Sequence, residues 1–276
     1  FMVTDLPLLA IVTGGLMFGI GMVMTRGCVS RLTVLTGSGN LRAALVIIVF
    51  AIVAHATLKG VLAPLRVALG NVTINLGDTV SLAALPGGSV FWAGLIIALS
   101  LAFALKSGTR PLPLLGGALI GLLVPMAWVG TGFILLDDFD PITMESLSFT
   151  SPAAESLFFT IASSAIPAGF GTGLISGVIF GSLVTALLTG RFHWQSFENP
   201  RQTGRYMTGA TLMGIGGVLA GGCTVGAGLA GIPTLSIAAI LALVAIAAGG
   251  LIADAVMRVS AGSAVPASRQ SLQPAE

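Results

Sequence analysis

Two stretches of the chain, GGLMFGIGMVMTRGC at 14–28 and GATLMGIGGVLAGGC at 209–223, align without a gap and agree at seven of 15 positions. The identities are Gly14/Gly209, Gly19/Gly214, Ile20/Ile215, Gly21/Gly216, Val23/Val218, Gly27/Gly222 and Cys28/Cys223. Glycine is common in this chain, with 38 among 276 residues, so some matches come free. The shared GIGxVxxxGC core does not, and it uses both cysteines that the chain has.

The surroundings of these stretches decide the class of protein. Hydrophobic residues make up 55% of the chain and charged residues 8%, whereas soluble domains carry about 25% charged residues. Mean hydropathy is +1.03. Twelve basic and ten acidic side chains cannot cover a water-soluble globule of this size, and the same numbers exclude disorder, a coiled coil and a disulfide scaffold. A net charge of +2 gives no reason to expect nucleic acid. An all-α, polytopic membrane protein with the lipid bilayer as its solvent remains. Its glycines predict close helix packing and broken helices.

About 20 apolar residues cross the hydrocarbon layer as a helix. Seven segments qualify, at roughly 7–25, 40–58, 89–106, 112–135, 170–190, 205–221 and 234–257. Shorter apolar pieces near 61–70, 79–86 and 153–167 read as half-spans or interfacial helices. Continuous apolar runs argue against the alternating strands of a barrel. No basic run precedes the first segment, so a cleaved signal peptide is not expected.

Between Arg110 and Arg191 there is no Lys or Arg, while Asp137, Asp138, Asp140, Glu145 and Glu155 fall there. The positive-inside rule therefore places 136–168 outside and the regions of Arg26–Arg42, Lys106–Arg110 and Arg191–Arg205 inside. Lys59 and Arg66 then fall outside, where they snorkel or line a mouth. The expected organisation is one transmembrane domain over 1–260. It has two pseudo-symmetric halves, about 1–110 and 168–260, joined by a segment with the acidic external loop 136–168. Residues 261–276 form a flexible tail. The first repeat copy runs inward on span one and the second outward on span six, the inverted-repeat logic of many transporters.

Glycines such as Gly19, Gly21 and Gly27 remove side chains where another backbone must approach, and glycine beside each cysteine, Gly27 before Cys28 and Gly221-Gly222 before Cys223, lets a helix stop inside the membrane. Val29-Ser30 and Thr224–Gly228 would then start new half-helices, whose N-termini offer N–H groups to an anion. A thiol is a weak, soft donor that suits a polarisable sulfur atom.

With its GxG-rich helices ending in Gly-Cys, the chain resembles the YeeE/YedE sulfur-transport family of prokaryotic inner-membrane proteins. The resemblance is sharp over FGIGMVMTRGCVSRLTVLTGSGNLRA at 18–43 and LMGIGGVLAGGCTVGAGLAG at 212–231. It implies a helical fold with internal pseudo-symmetry and uptake of thiosulfate or a related sulfur anion. Family cysteines are thought to hold the terminal sulfur of thiosulfate through S–H···S hydrogen bonds and relay it. By motif match that role falls on Cys28 and Cys223, within a substrate site of Gly27, Gly222, Ser30, Thr224 and Arg26. Some members carry a further functional cysteine; this chain has two.

Competing readings stay open at this stage. A buried cysteine also behaves as a small hydrophobe, and the two could form a disulfide between the repeats. Arg26 and Arg31 serve either as inside anchors or as attractors of an anion at the inner exit. The hydroxyls of Ser30, Thr33 and Thr224 either face sulfonyl-type oxygens or bond back to helix carbonyls. His55 is an ionisable group in a span or an interfacial side chain. His193 and Trp194 read as interfacial, Trp92 and Trp128 as belt or packing residues, and Asp254 with Arg258 as an i,i+4 pair. By function, the choices are a permease, a membrane sulfurtransferase forming a persulfide, or a membrane subunit docking a cytoplasmic sulfur carrier or sulfurtransferase. No GxxxxGK[ST] motif is present, and no cofactor or metal is expected.

Overall fold

The computed structural model describes residues 4–262, except 76, 78, 79, 85, 109, 110, 135–143 and 166. Arg110, Asp137, Asp138 and Asp140 lie outside the described residues, as does the expected tail beyond 262. Ten α-helices are described: α1 Leu8–Met24, α2 Val29–Gly37, α3 Leu41–Lys59, α4 Ala63–Gly70, α5 Gly88–Lys106, α6 Pro111–Val129, α7 Thr150–Ile161, α8 Phe170–Leu188, α9 Pro200–Leu219 and α10 Ile237–Gly262. A π-helical turn, Gly130–Ile134, extends α6, and a π segment, Thr224–Gly231, follows α9.

Seven helical stretches are long and apolar enough to cross a membrane, matching the expected spans. Two of them, Leu8–Gly37 and Pro200–Thr234, contain a Gly-Cys break. Of the shorter apolar pieces, 61–70 and 153–167 become α4 and α7, and 79–86 holds a single 3₁₀ turn, Leu82–Ala84. Strands were not expected. Among the described residues there is one two-residue antiparallel pair, β1 Asp5–Leu6 with β2 Ile74–Asn75, in register Asp5↔Asn75 and Leu6↔Ile74. It ties the start of α1 to the loop after α4, and Asn75 Nδ2 donates to Asp5 Oδ1 at 2.8 Å.

Helix α1 lies between α9 and α10, and glycine explains how. In lipid, apolar burial does not drive helices together, so close van der Waals packing must. A Cβ on Gly14 would sit 2.5 Å from Ala220 N, and one on Gly216 would sit 2.5 Å from both Gly14 O and Phe18 N. Lower on the pair, Gly21 faces Gly209 O at 2.5 Å. On the other side of α1, Gly19 backs onto Ile246 O and Gly250 N, and Gly249 onto Leu16 O. These contacts make α1 and α9 antiparallel. Gly27 is different. The atoms nearest to a Cβ there would belong to the Arg31 side chain and not to another helix's backbone; its N–H closes on Met22 O at 2.9 Å.

The core in and around this triad is filled by Phe18, Phe50, Met213, Ile246, Val29 and Val46, all fully buried. Helix α3 packs on α9, α2 on α8, and α7 on α3 and α8. By contrast, α5 buries none of its residues and α6 only Val124 and Ala127. Their exposed Leu, Ile and Phe side chains suit a lipid-facing position.

Adding a methyl group at Gly216 should lower folding stability by ~1–3 kcal/mol through overpacking. Gly177→Ala on α8, where nothing lies within 4 Å of the added Cβ, should leave it unchanged. Thermal unfolding of both variants in detergent checks this.

Candidate functional site

Both Gly-Cys breaks are built by the same backbone course. Helix α1 ends at Thr25 (φ −88°, ψ −3°) and α9 at Ala220 (φ −73°, ψ −7°). The next residues turn left-handed, Arg26 at φ 61° and Gly221 at φ 76°. A glycine then leads to a cysteine in extended conformation, Cys28 at φ −77°, ψ 168° and Cys223 at φ −91°, ψ −177°. Each cysteine occupies the N-cap position of the following helical segment. Thr25 stabilises the first loop: its hydroxyl lies 2.9 Å from Gly21 O and 3.1 Å from Gly27 O and donates to either.

The two loops meet. The Cys28 sulfur lies 2.9 Å from Ser30 Oγ, and the Thr224 side chain of the second loop lies beside it. Cys223 is buried, and its Sγ accepts from Gly226 N at 3.5 Å, capping the π segment. Both cysteines are free thiols, so they form no disulfide. Thus Cys28, Ser30 and Thr224 come together, and Cys223 directly precedes Thr224 in the chain, with Gly27 and Gly222 each just before a cysteine. Arg26 is placed elsewhere, on a polar cavity at the end of α1.

Cavities flank the paired loops. One of about 320 Å³ is lined by Trp128, Ser146, Ser148, Gly221, Gly226 and Thr234, among others. It reaches Gly226, the residue whose N–H is bonded to Cys223. A second of about 420 Å³ is apolar and reaches Ser30 and Val225 between α2, α6 and α8. Leu147 borders both. The irregular segment Met144–Phe149 therefore separates them. Thr131 Oγ1, in the π turn after α6, holds this segment by accepting from Glu145 N at 3.1 Å, while its hydroxyl lies 2.8 Å from Ala127 O and 3.0 Å from Glu145 O and donates to either.

Sequence reasoning missed Ser146 and Ser148, having assigned this region to an external loop. The available signal was the Ser-Leu-Ser-Phe alternation at 146–149, which marks extended chain with two faces. Trp128 lines the first cavity, a use beyond belt or packing. Glu145 and Glu155 border a third cavity with the same two serines. Burial and the neighbouring Glu145 push the Glu155 carboxyl above its usual range, and Lys59 pulls against them.

Other candidates fall away from the thiols. His55 stacks on Phe158 with ring centroids 3.7 Å apart and borders neither of the cavities at the loops. Thr33 Oγ1 bonds back to Val29 O at 2.9 Å. Arg258 Nε and Asp254 Oδ2 pair at 2.8 Å as the spacing predicts. Trp194 is exposed and edge-on to Phe192. Among the described residues no group of three or more His, Cys, Asp or Glu is placed to hold a metal.

The sequence profile of the sulphur transport family matches residues 1–252. The chain belongs to that family. It is 29% identical over 275 residues to the thiosulfate transporter TsuA of Spirochaeta thermophila, an alignment spanning 86% of this chain and 74% of that protein. The thiosulfate transporter TsuA of Escherichia coli is 26% identical over 250 residues, spanning 81% of this chain and 67% of its own. With seven helices able to cross a membrane, this chain is a multi-pass membrane transporter of sulfur compounds and not an enzyme.

The two thiols of the transporter should differ in reactivity. Cys28 is half-buried and Cys223 is 1% exposed. A small maleimide should modify Cys28 first in the folded protein and reach Cys223 only on unfolding, as followed by mass spectrometry of the peptides.

Proposed function

We propose that this chain imports thiosulfate, or a sulfur anion of similar shape, across a prokaryotic inner membrane along a path lined by Cys28 and Cys223. The observation that carries this reading is the meeting of the two loops, which brings Thr224 of one onto the Cys28 sulfur of the other. The names of its relatives support the choice of substrate.

In this reading the thiols donate weak S–H···S hydrogen bonds to the terminal sulfur of the anion. Ser30, Thr224 and the N–H groups at the starts of the two helical segments face its oxygens. Gly27 and Gly222 leave room for the anion beside the backbone, and Arg26 draws it toward the inner end. Contacts of this kind are individually weak, and conduction needs binding that also releases. The two loops belong to inverted halves, about 1–110 and 168–260, with the N-terminus outside and the arginine-bearing end of α1 and α9 inside. A soluble sulfur carrier or sulfurtransferase would accept the sulfur there.

Uptake of radiolabelled thiosulfate into proteoliposomes tests the path. Losing one substrate hydrogen bond, worth ~1–1.5 kcal/mol, should slow uptake about tenfold in Cys28→Ala or Cys223→Ala. Wild-type uptake by both single variants and the double variant would sink the cysteine path. For orientation, Gln195→Cys and Ser163→Cys are placed in the cysteine-free background. A membrane-impermeant maleimide added outside should label position 163 and spare position 195; the opposite pattern reverses the topology.

A further inference from the structure

Four arginines from three elements converge on one cavity where α1 ends and α9 begins. Arg26 follows α1, Arg42 lies in the first turn of α3, and Arg201 and Arg205 stand one turn apart on α9. With Glu198, Asn199 and Gln202 they line about 610 Å³. Glu198 is the single carboxylate in this lining. It pairs with Arg42 at 3.0 Å, and Arg42 Nε donates to Ser196 O. Arg42 is thereby neutralised and fixed, whereas Arg26, Arg201 and Arg205 have no carboxylate to balance them within the lining.

Two further observations single out this cavity. Arg205 Nε is shielded from solvent with no hydrogen-bond partner, an arrangement that proteins avoid unless another group completes it. Arg26 holds a left-handed φ of 61°, which is strained for a bulky side chain. The matched residue of the second loop, at φ 76°, is Gly221, which takes this conformation freely. The fold thus tolerates strain at position 26 and gains a guanidinium two residues from Cys28.

We propose that this cavity is a binding site for a compact tetrahedral dianion, of the sulfur-oxyanion class, held by Arg26, Arg201 and Arg205. Guanidinium forks match the paired oxygens of such anions. The site rests on the reading of the chain as an anion importer and deepens it. It is the inner station of the path, next after the thiols. A membrane potential that is negative inside opposes the arrival of a dianion, and three uncompensated arginines at that end offset this.

The test reads binding rather than transport. Purified protein in vesicles of zwitterionic lipid is treated with phenylglyoxal, and modification of each arginine is followed by mass spectrometry. Thiosulfate or sulfate should slow modification of Arg26, Arg201 and Arg205 severalfold, and leave Arg191 and Arg258 unaffected. Equal protection by chloride at matched ionic strength would reduce the cavity to diffuse charge and overturn the proposal. So would protection that needs anionic lipid and no added dianion, which would make it a headgroup site. Arg26→Gly supplies the second arm. It relieves the left-handed strain, so melting in detergent should not fall, while dianion protection of Arg201 and Arg205 is lost. Undiminished protection in that variant also overturns the site. Protection without any thiosulfate uptake would sink the transport reading and leave the cavity standing; uptake without protection would do the reverse.

Discussion

Where Gly14 of α1 meets Ala220 and Gly216 of α9, and Gly21 meets Gly209, the two helices approach until backbone touches backbone. Side chains at these positions would hold the axes apart, and a bilayer supplies no hydrophobic force to close the gap. The contact fixes α1 and α9 as an antiparallel pair, with α10 closing the other side of α1 through Gly19 and Gly249. The ends of the pair then set where each Gly-Cys loop begins. Each loop turns through a left-handed residue and comes back along the pair, and the returning chains meet at Cys28 and Thr224. A break of this kind within the membrane leaves backbone polar groups to be satisfied. Here the buried Thr25 hydroxyl and the Cys223 sulfur do so in part.

The two loops share a backbone course but not their surroundings. After Cys28 comes a regular helix, α2, packed on α8. After Cys223 comes a π segment, packed on α10 and bordered by Ser148. One end of the pair opens to a cavity lined by serines and glycine N–H groups, with carboxylates close by; the other opens to arginines. The difference in polarity between the two ends of the pair is therefore created by the elements that clothe the repeat. The repeat itself, with arginine at position 26 and glycine at 221, differs in charge at a single matched turn residue.

Helices α5 and α6 are largely free of the core. The part of α6 that matters to the site is its end, where the π turn brings Thr131 to the backbone of Glu145 and so fixes the segment carrying Ser146 and Ser148. That segment divides the polar cavity from the apolar one, with Leu147 on both.

The sequence by itself determined the solvent, the seven spans and the two Gly-Cys breaks, because apolar length and glycine spacing are local properties of the chain. It also named Cys28, Cys223, Ser30 and Thr224, since matched cysteines after matched glycines stand out without any fold. Only the tertiary structure decided which of these side chains meet. It joined Arg26 to Arg42, Arg201 and Arg205 on one cavity, and it brought Ser146 and Ser148, from a region read as loop, to the cavity beside Gly226. The same structure left Thr33 and His55 to local roles. Pairing across more than 150 residues depends on how closely helices pack, and that distance is set by the shape of both partners at once, so a pattern along one chain does not carry it.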